Sequence, residues 1–286
     1  GGHSMAASST TPYIVSTNRH TTDRLHIGGQ PADSGAIAFA SPAGCCKDCM
    51  SREYCVGAKL NALSDSQPLP MLRHNHTLGY REHLFREGDA PEAIYVLKSG
   101  AVKLYLMSED GGEQVVAFYM PGEVLGLDAL GTDAHRSSAM VLERASFCVI
   151  PMASLDRIPG CHQLLYKLLS MELVRDHHTI ELINKKDAEA KIANFLVDLS
   201  QRFRARGYSG SRFNLSMKRT EIGSYLGLAV ETVSRILTRF QDEGLLQVQR
   251  RQICIVDFAG LEKLAGYGAL HWHAHDPAKT GSVSLS

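Results

Sequence analysis

No stretch of this 286-residue chain approaches the roughly 18 consecutive apolar residues that a membrane-spanning helix requires. No charged segment followed by an apolar one opens it, so secretion is not expected, and "GGHSM" reads as an expression-tag scar. Net charge is absent too: 30 Lys and Arg balance 30 Asp and Glu, so total charge selects no partner. Glycine-rich phosphate loops and nucleophile–base patterns are missing, which removes the usual signatures of nucleotide-dependent and hydrolytic enzymes. What remains is 44% hydrophobic and 21% charged, an ordinary globular composition with enough chain for about two domains.

Against this plain background the cysteines stand out. Four of the seven fall in "GCCKDCMSREYC", Gly44 to Cys55. Several sulfurs at one point serve disulfides, zinc or iron–sulfur. An odd cysteine count without a secretory leader predicts a reducing cytoplasm, where such a cluster binds metal or senses redox state rather than stapling the fold.

The chain then divides by pattern. Residues 1–43, rich in Ser, Thr, Ala, Gly and Pro, read as a flexible leader. Residues 44–158 hold the cysteine segment and a run of short alternating stretches ("AIYVL", "AVKLYLM", "QVVAFYM") cut by Gly-Asp, Ser-Gly, Gly-Gly and Pro-Gly. That is the pattern of antiparallel strands in a jelly-roll β-barrel. Over 159–188 the period becomes helical, and Tyr166, Leu169, Leu173, Asp176, Ile180 and Ile183 recur at alternating three and four residues. This is a coiled-coil-like seam, predicting a dimerisation helix against a second copy of the chain. Asp176 alone interrupts the seam, so two carboxylates would face each other across the dimer and make association conditional.

Residues 189–265 read as helix, helix–turn–helix and two-stranded wing, with Gly227 at the tight junction and Arg250-Arg251 at the wing's turn. The segment from 189 onward carries 13 Lys and Arg against 9 Asp and Glu, a mildly basic balance suited to nucleic acid. Residues 266–286 read as a flexible tail. Ile222, Leu226, Leu228, Val233, Ile236 and Leu237 supply the apolar interior, leaving Glu231, Thr232, Ser234 and Arg235 on the first turns of the second helix. Such a helix has the geometry to read bases in the major groove of double-stranded DNA. Arg235 suits the O6 and N7 of guanine, Glu231 the amino group of cytosine, and Ser234 either role. Lys218, Arg219, Thr232 and Arg239 suit phosphate contacts, which position without specifying.

"TEIGSYLGLAVETVSRILTRFQ" closely resembles the helix–turn–helix of the bacterial catabolite-activator/FNR superfamily, and "LFREGDAPEAIYVLKSGAVKLY" resembles that family's sensor barrel. The match spans roughly residues 44 to 260. The E-x-x-S-R pattern at Glu231, Ser234 and Arg235 is similar to the FNR branch, which implies palindromic sites with TTGAT-type halves. The resemblance also implies a C-x2-C-x5-C run ahead of the barrel plus a fourth cysteine late in it: Cys46, Cys49, Cys55 and Cys148. Four thiolates match a [4Fe–4S] cluster, one per iron. Cys45 is then a non-ligand, and Cys161 and Cys254 are inert buried thiols. The implied fold is α+β: a cyclic-nucleotide-binding-like jelly-roll, a long dimerisation helix and a C-terminal winged helix-turn-helix. The implied protein is not an enzyme but a cytoplasmic homodimer that regulates promoters when oxygen is low. The resemblance also makes Asp176 the acidic residue that opposes the cluster-free dimer, with His177 and His178 able to soften that repulsion if charged. "SEDGG", Ser108 to Gly112, reads as a barrel turn, of a kind that in this family can touch RNA polymerase.

Cyclic nucleotide is not expected in the barrel. In the superfamily's cyclic-AMP-binding branch, which the barrel resembles, an acidic residue holds the ribose and an Arg-Ser pair the phosphate; by that resemblance Leu127 falls at the acidic place and Arg136-Ser137 is out of register. Four thiolates also suit zinc, so a zinc- or thiol-based regulator, or a cyclic-nucleotide-responsive one, is the alternative. An iron–sulfur electron carrier would need a second cofactor site. "RHNH" (Arg73 to His76) and "HWHAH" (His271 to His275) read as surface and tail residues.

Overall fold

The structure is a computed structural model that describes residues 55, 58, 73–156 and 158–266. The leader, most of the cysteine segment and nearly all of the tail lie outside the described residues. Eight strands come first: β1 (Arg73–Leu78), β2 (His83–Phe85), β3 (Ala93–Ser99), β4 (Val102–Met107), β5 (Glu113–Tyr119), β6 (Val124–Leu125), β7 (Ser138–Val141) and β8 (Ala145–Pro151). They form two four-stranded antiparallel sheets in the orders β1-β8-β3-β6 and β2-β7-β4-β5. Side chains alternate across each strand. The inward set includes Leu97, Val102, Val141 and Phe147, all fully buried. The Ser108–Gly112 segment is the β4–β5 turn, closed by the Ser108 N–H donating to the Gly112 carbonyl at 2.9 Å.

A short helix α1 (Met152–Leu155) leads to the long α2 (Cys161–Asn184). At 24 residues α2 is about 36 Å long. Two apolar stripes run along it. Cys161, Leu165 and Leu168 face the barrel and are buried, as is Leu182 further on. Tyr166, Leu169, Leu173, Val174 and Ile180 are exposed, Tyr166 by 69% and Ile180 by 57%.

Helix α3 (Ala188–Ala205) starts at Asp187, whose carboxylate accepts from the N–H groups of Glu189 and Ala190. The remainder is β9 (Arg212–Asn214), α4 (Arg219–Leu226), α5 (Val230–Asp242), β10 (Leu246–Gln249), β11 (Gln252–Ile255) and α6 (Phe258–Ala265). Strands β10, β11 and β9 form a small antiparallel sheet, and Arg250 takes a left-handed conformation at the β10–β11 turn, φ 57°.

Candidate nucleic-acid interface and cysteine site

Helices α4 and α5 meet through a tight turn that needs glycine at two positions, one for its backbone angle and one for space. Gly227 sits at φ 64°, and a Cβ on Gly223 would lie 2.6 Å from the Leu228 carbonyl oxygen. Val233, Ile236, Leu237 and Phe240 bury one face of α5 against Ile222 and Leu226 of α4. The periodicity turns the other face outward. Glu231 and Arg235 are exposed, with Thr232 and Ser234 half-buried beside them. Arg219 is exposed at the start of α4. Lys218 holds its ammonium 5.6 Å from the centre of the Tyr80 ring, and Arg239 forms an ion pair with Glu189. Those two cations therefore have protein partners in this arrangement. The wing adds Arg250 and Arg251, both exposed. One protruding helix with two polar side chains and a basic hairpin beside it can enter a major groove while the wing reaches the backbone.

Cys46 and Cys49 lie outside the described residues, as does Cys45. Cys55 and Cys148 are each only 7% exposed and belong to one apolar cluster with Ile94, Val96, Val124 and Ile150. Cys148 is on β8, opposite Val96 of β3. The cluster runs on to Cys161, Leu165 and Leu168 of α2. Burial, then the charge of Asp156, raises the Cys161 thiol above its ordinary range, which fits an inert packing residue. Cys254 is half-buried on β11.

On α2, Asp176 is exposed between Leu173 and Ile180, and His177 is exposed next to it. Ile183 is half-buried, its Cγ2 3.9 Å from where a Gly227 Cβ would stand, so it also packs on the helix–turn–helix of its own chain. A charge network unpredicted from sequence lies nearby. Glu123, in the β5–β6 turn, accepts from Arg202 at 2.8 Å and Arg206 at 2.5 Å, with Arg175 of α2 at 4.0 Å. Burial alone would raise the Glu123 carboxyl. Arg202, Arg206 and Arg175 override it and hold it at about 2. Glu172 pairs with Arg175, yet burial, reinforced by the charges of Glu123 and Asp176, pushes its carboxyl up to about 7. Arg175 also lies over the Tyr119 ring at 4.4 Å.

In the barrel loop, Asp128 accepts from the Arg136 N–H at 3.1 Å and the Ser137 hydroxyl at 3.2 Å, and pairs with His135. His135 is stacked on Phe85 with centroids 3.8 Å apart. The loop's polar groups thus bond to one another, and Leu127 is buried.

A jelly-roll, a long helix with an exposed apolar stripe and a winged helix–turn–helix define a DNA-binding transcription regulator. The family comparisons agree: the Crp-like helix-turn-helix domain matches residues 190–264, and the cyclic nucleotide-binding domain matches residues 77–159. The transcriptional activator protein Anr of Pseudomonas protegens is 42% identical over 226 residues, 77% of this chain and 92% of that protein. The fumarate and nitrate reduction regulatory protein of Escherichia coli is 38% identical, covering 78% of this chain and 90% of that one. The structure of FixK2 from Bradyrhizobium japonicum is similar with a TM-score of 0.62 and 29% identity, covering 66% of this chain and 96% of FixK2. The chain belongs to the FNR/Anr-type transcriptional activators of the catabolite-activator/FNR superfamily. It is a regulator and not an enzyme. No helix among the described residues is long and apolar enough to cross a membrane.

Proposed function

We propose that this regulator responds to oxygen through a [4Fe–4S] cluster held by Cys46, Cys49, Cys55 and Cys148, and binds palindromic TTGAT-type half-sites as a homodimer when oxygen is low. The observation that carries the reading is the joint burial of Cys55 and Cys148, distant in sequence, in one apolar cluster. Burial of a cysteine from the local run in the same apolar cluster as the barrel cysteine supports a four-thiolate set that joins the two, in surroundings of low polarity. When bound, the cluster supplies chemistry that oxygen can attack; zinc in the same thiolates has none. The chain's own residues do the rest. The apolar cluster around Cys148 continues into Leu165 and Leu168, so packing at the cysteines bears on the pose of α2. Tyr166, Leu169, Leu173, Ile180 and Ile183 would bury against a second copy, and Asp176 would set how much help that association needs. Glu231, Ser234 and Arg235 read bases, while Lys218, Arg219, Thr232 and Arg239 meet phosphates. For Lys218 and Arg239 this means exchanging Tyr80 and Glu189 for DNA. The β4–β5 turn at Ser108–Gly112 offers a projecting surface for RNA polymerase. The Asp128 network uses the barrel loop internally, which argues against a cyclic nucleotide there.

Anaerobic purification tests this reading. Iron and sulfide at four per chain, with a broad visible absorption that air bleaches, is the expected result. Colourless protein carrying one zinc overturns it.

A further inference from the structure

The barrel and the DNA reader are fastened at a point that none of the base-reading or cysteine chemistry uses. Strand β5 is an edge strand of its sheet, and its pairing with β4 shifts between Leu104 and Tyr105, so Val116 bulges out of register. An edge with a bulge leaves backbone groups in need of partners. Ser224, on α4, supplies them. Its hydroxyl accepts from the Val115 N–H at 2.9 Å and donates to the Glu113 carbonyl at 2.8 Å. The Gln114 amide donates to the Ser224 carbonyl at 2.6 Å. Beside this, Lys103 is 3% exposed and paired with one carboxylate from each unit, Glu113 of the barrel and Glu221 of the reader. Behind it, Tyr225 stacks edge-on against Phe118 of β5, centroids 5.2 Å apart.

We infer that Ser224, with Gln114 and Lys103, is a positioning latch that sets the angle of the helix–turn–helix on the barrel and so the half-site spacing a dimer accepts. Helix α5 is joined to α4 through the tight Gly223–Gly227 turn, so the pose of α4 dictates where the reading helix points. The latch uses one face of α4, while Glu231 and Arg235 of α5 stay exposed. Latch and DNA contacts are therefore compatible. Two readers held at fixed angles match one spacing between half-sites, whereas loosened readers tolerate several.

The inference rests on the dimeric DNA-binding reading above, and the test separates the two. The anaerobic dimer is titrated against duplexes with two TTGAT-type half-sites, at the spacing the wild type prefers and at one base pair more or less. Ser224→Ala is expected to lose about fivefold on the preferred spacing, the worth of about one hydrogen bond, with little change on the other two. Gln114→Ala, altered only on the exposed barrel side, is expected to narrow the preference in the same direction. Equal loss on all three duplexes means a damaged reader and overturns the latch, as does an unchanged spacing preference in both variants. Wild-type protein that binds no palindrome better than random duplex overturns the function proposed above, and the latch with it.

Discussion

Glu123 and Arg202, 79 residues apart, share three hydrogen bonds at 2.8, 3.0 and 3.2 Å between the β5–β6 turn and α3. Arg202 also donates to the Phe118 carbonyl of β5, and Arg206 to that of Pro121 in the turn, so the arginines satisfy backbone carbonyls as well as the carboxylate. The carboxylate is desolvated, and its stability depends on these cations being present together. Glu123→Gln removes the charge and leaves Arg202 and Arg206 buried without it. The expected cost is about 3 kcal/mol in a denaturant melt, with Arg202→Met partly compensating in the double variant. A loss below about 0.5 kcal/mol, the size of a surface pair, contradicts this account of the network.

Glu172 gives the same region a pH dependence. Its carboxyl titrates at about 7 in the folded chain against 4.5 for the unperturbed group. The folded state thus holds the proton more tightly than the unfolded one. The stability this group contributes is complete below 4.5 and is lost as pH rises through 7, by up to about 3 kcal/mol. Arg175, Glu123, Asp176 and Arg202 are the charges acting on it. Glu172→Gln should flatten the stability profile across that window and leave the variant more stable than wild type at about pH 8. Parallel profiles for the two proteins rule out a folded-state shift at this carboxyl.

Much of the fold was legible because local pattern and tertiary burial agree. The apolar run of "AIYVLKS" buries Ala93, Ile94, Val96 and Leu97 and leaves its polar end, Lys98 and Ser99, less covered, and Val233, Ile236 and Leu237 face inward at the spacing their helix predicts. The Tyr166–Ile180 stripe reads as one seam in sequence. In the structure it is the second of two stripes, the first being spent on the barrel. The charge network and the Ser224 latch were not legible. Their partners are 79 and 109 residues apart, and nothing local distinguishes Glu123 from a surface acid or Ser224 from an ordinary helix serine. The burial of Cys55 and Cys148 in one apolar cluster belongs to the same class, since spacing alone could not place them there.

Cys148 tests the ligand set. Cys148→Ser keeps the size of the side chain but replaces a thiolate by a poor iron ligand, so anaerobically purified variant should lose its iron and visible absorption. Cys161→Ser, in the same apolar cluster, should keep both. Retention of wild-type iron in the Cys148 variant rejects it as a ligand.

Asp176 tests the seam. Two exposed carboxylates brought together in a dimer must be desolvated against each other, which costs more than a surface charge pair gains. In cluster-free protein, Asp176→Ala should shift sedimentation velocity profiles toward the dimer, and Leu173→Asp should abolish the dimer even with the cluster loaded. A monomer–dimer balance indifferent to both changes removes α2 as the contact.

Arg235 separates reading from mere binding. It is exposed on the first turns of α5, opposite the buried Val233 and Ile236. A guanidinium there can donate two parallel bonds to one guanine and to no other base in the same way. Arg235→Ala should cost about 1–3 kcal/mol on the preferred site and erase the preference at a single base pair of each half. The slope of affinity against salt should stay nearly constant, because a base contact releases few counterions. Arg219→Ala should do the reverse, weakening all duplexes alike and lowering that slope by about one. If Arg235→Ala instead weakens every sequence equally, it is a phosphate contact, and base reading must fall to Glu231 and Ser234.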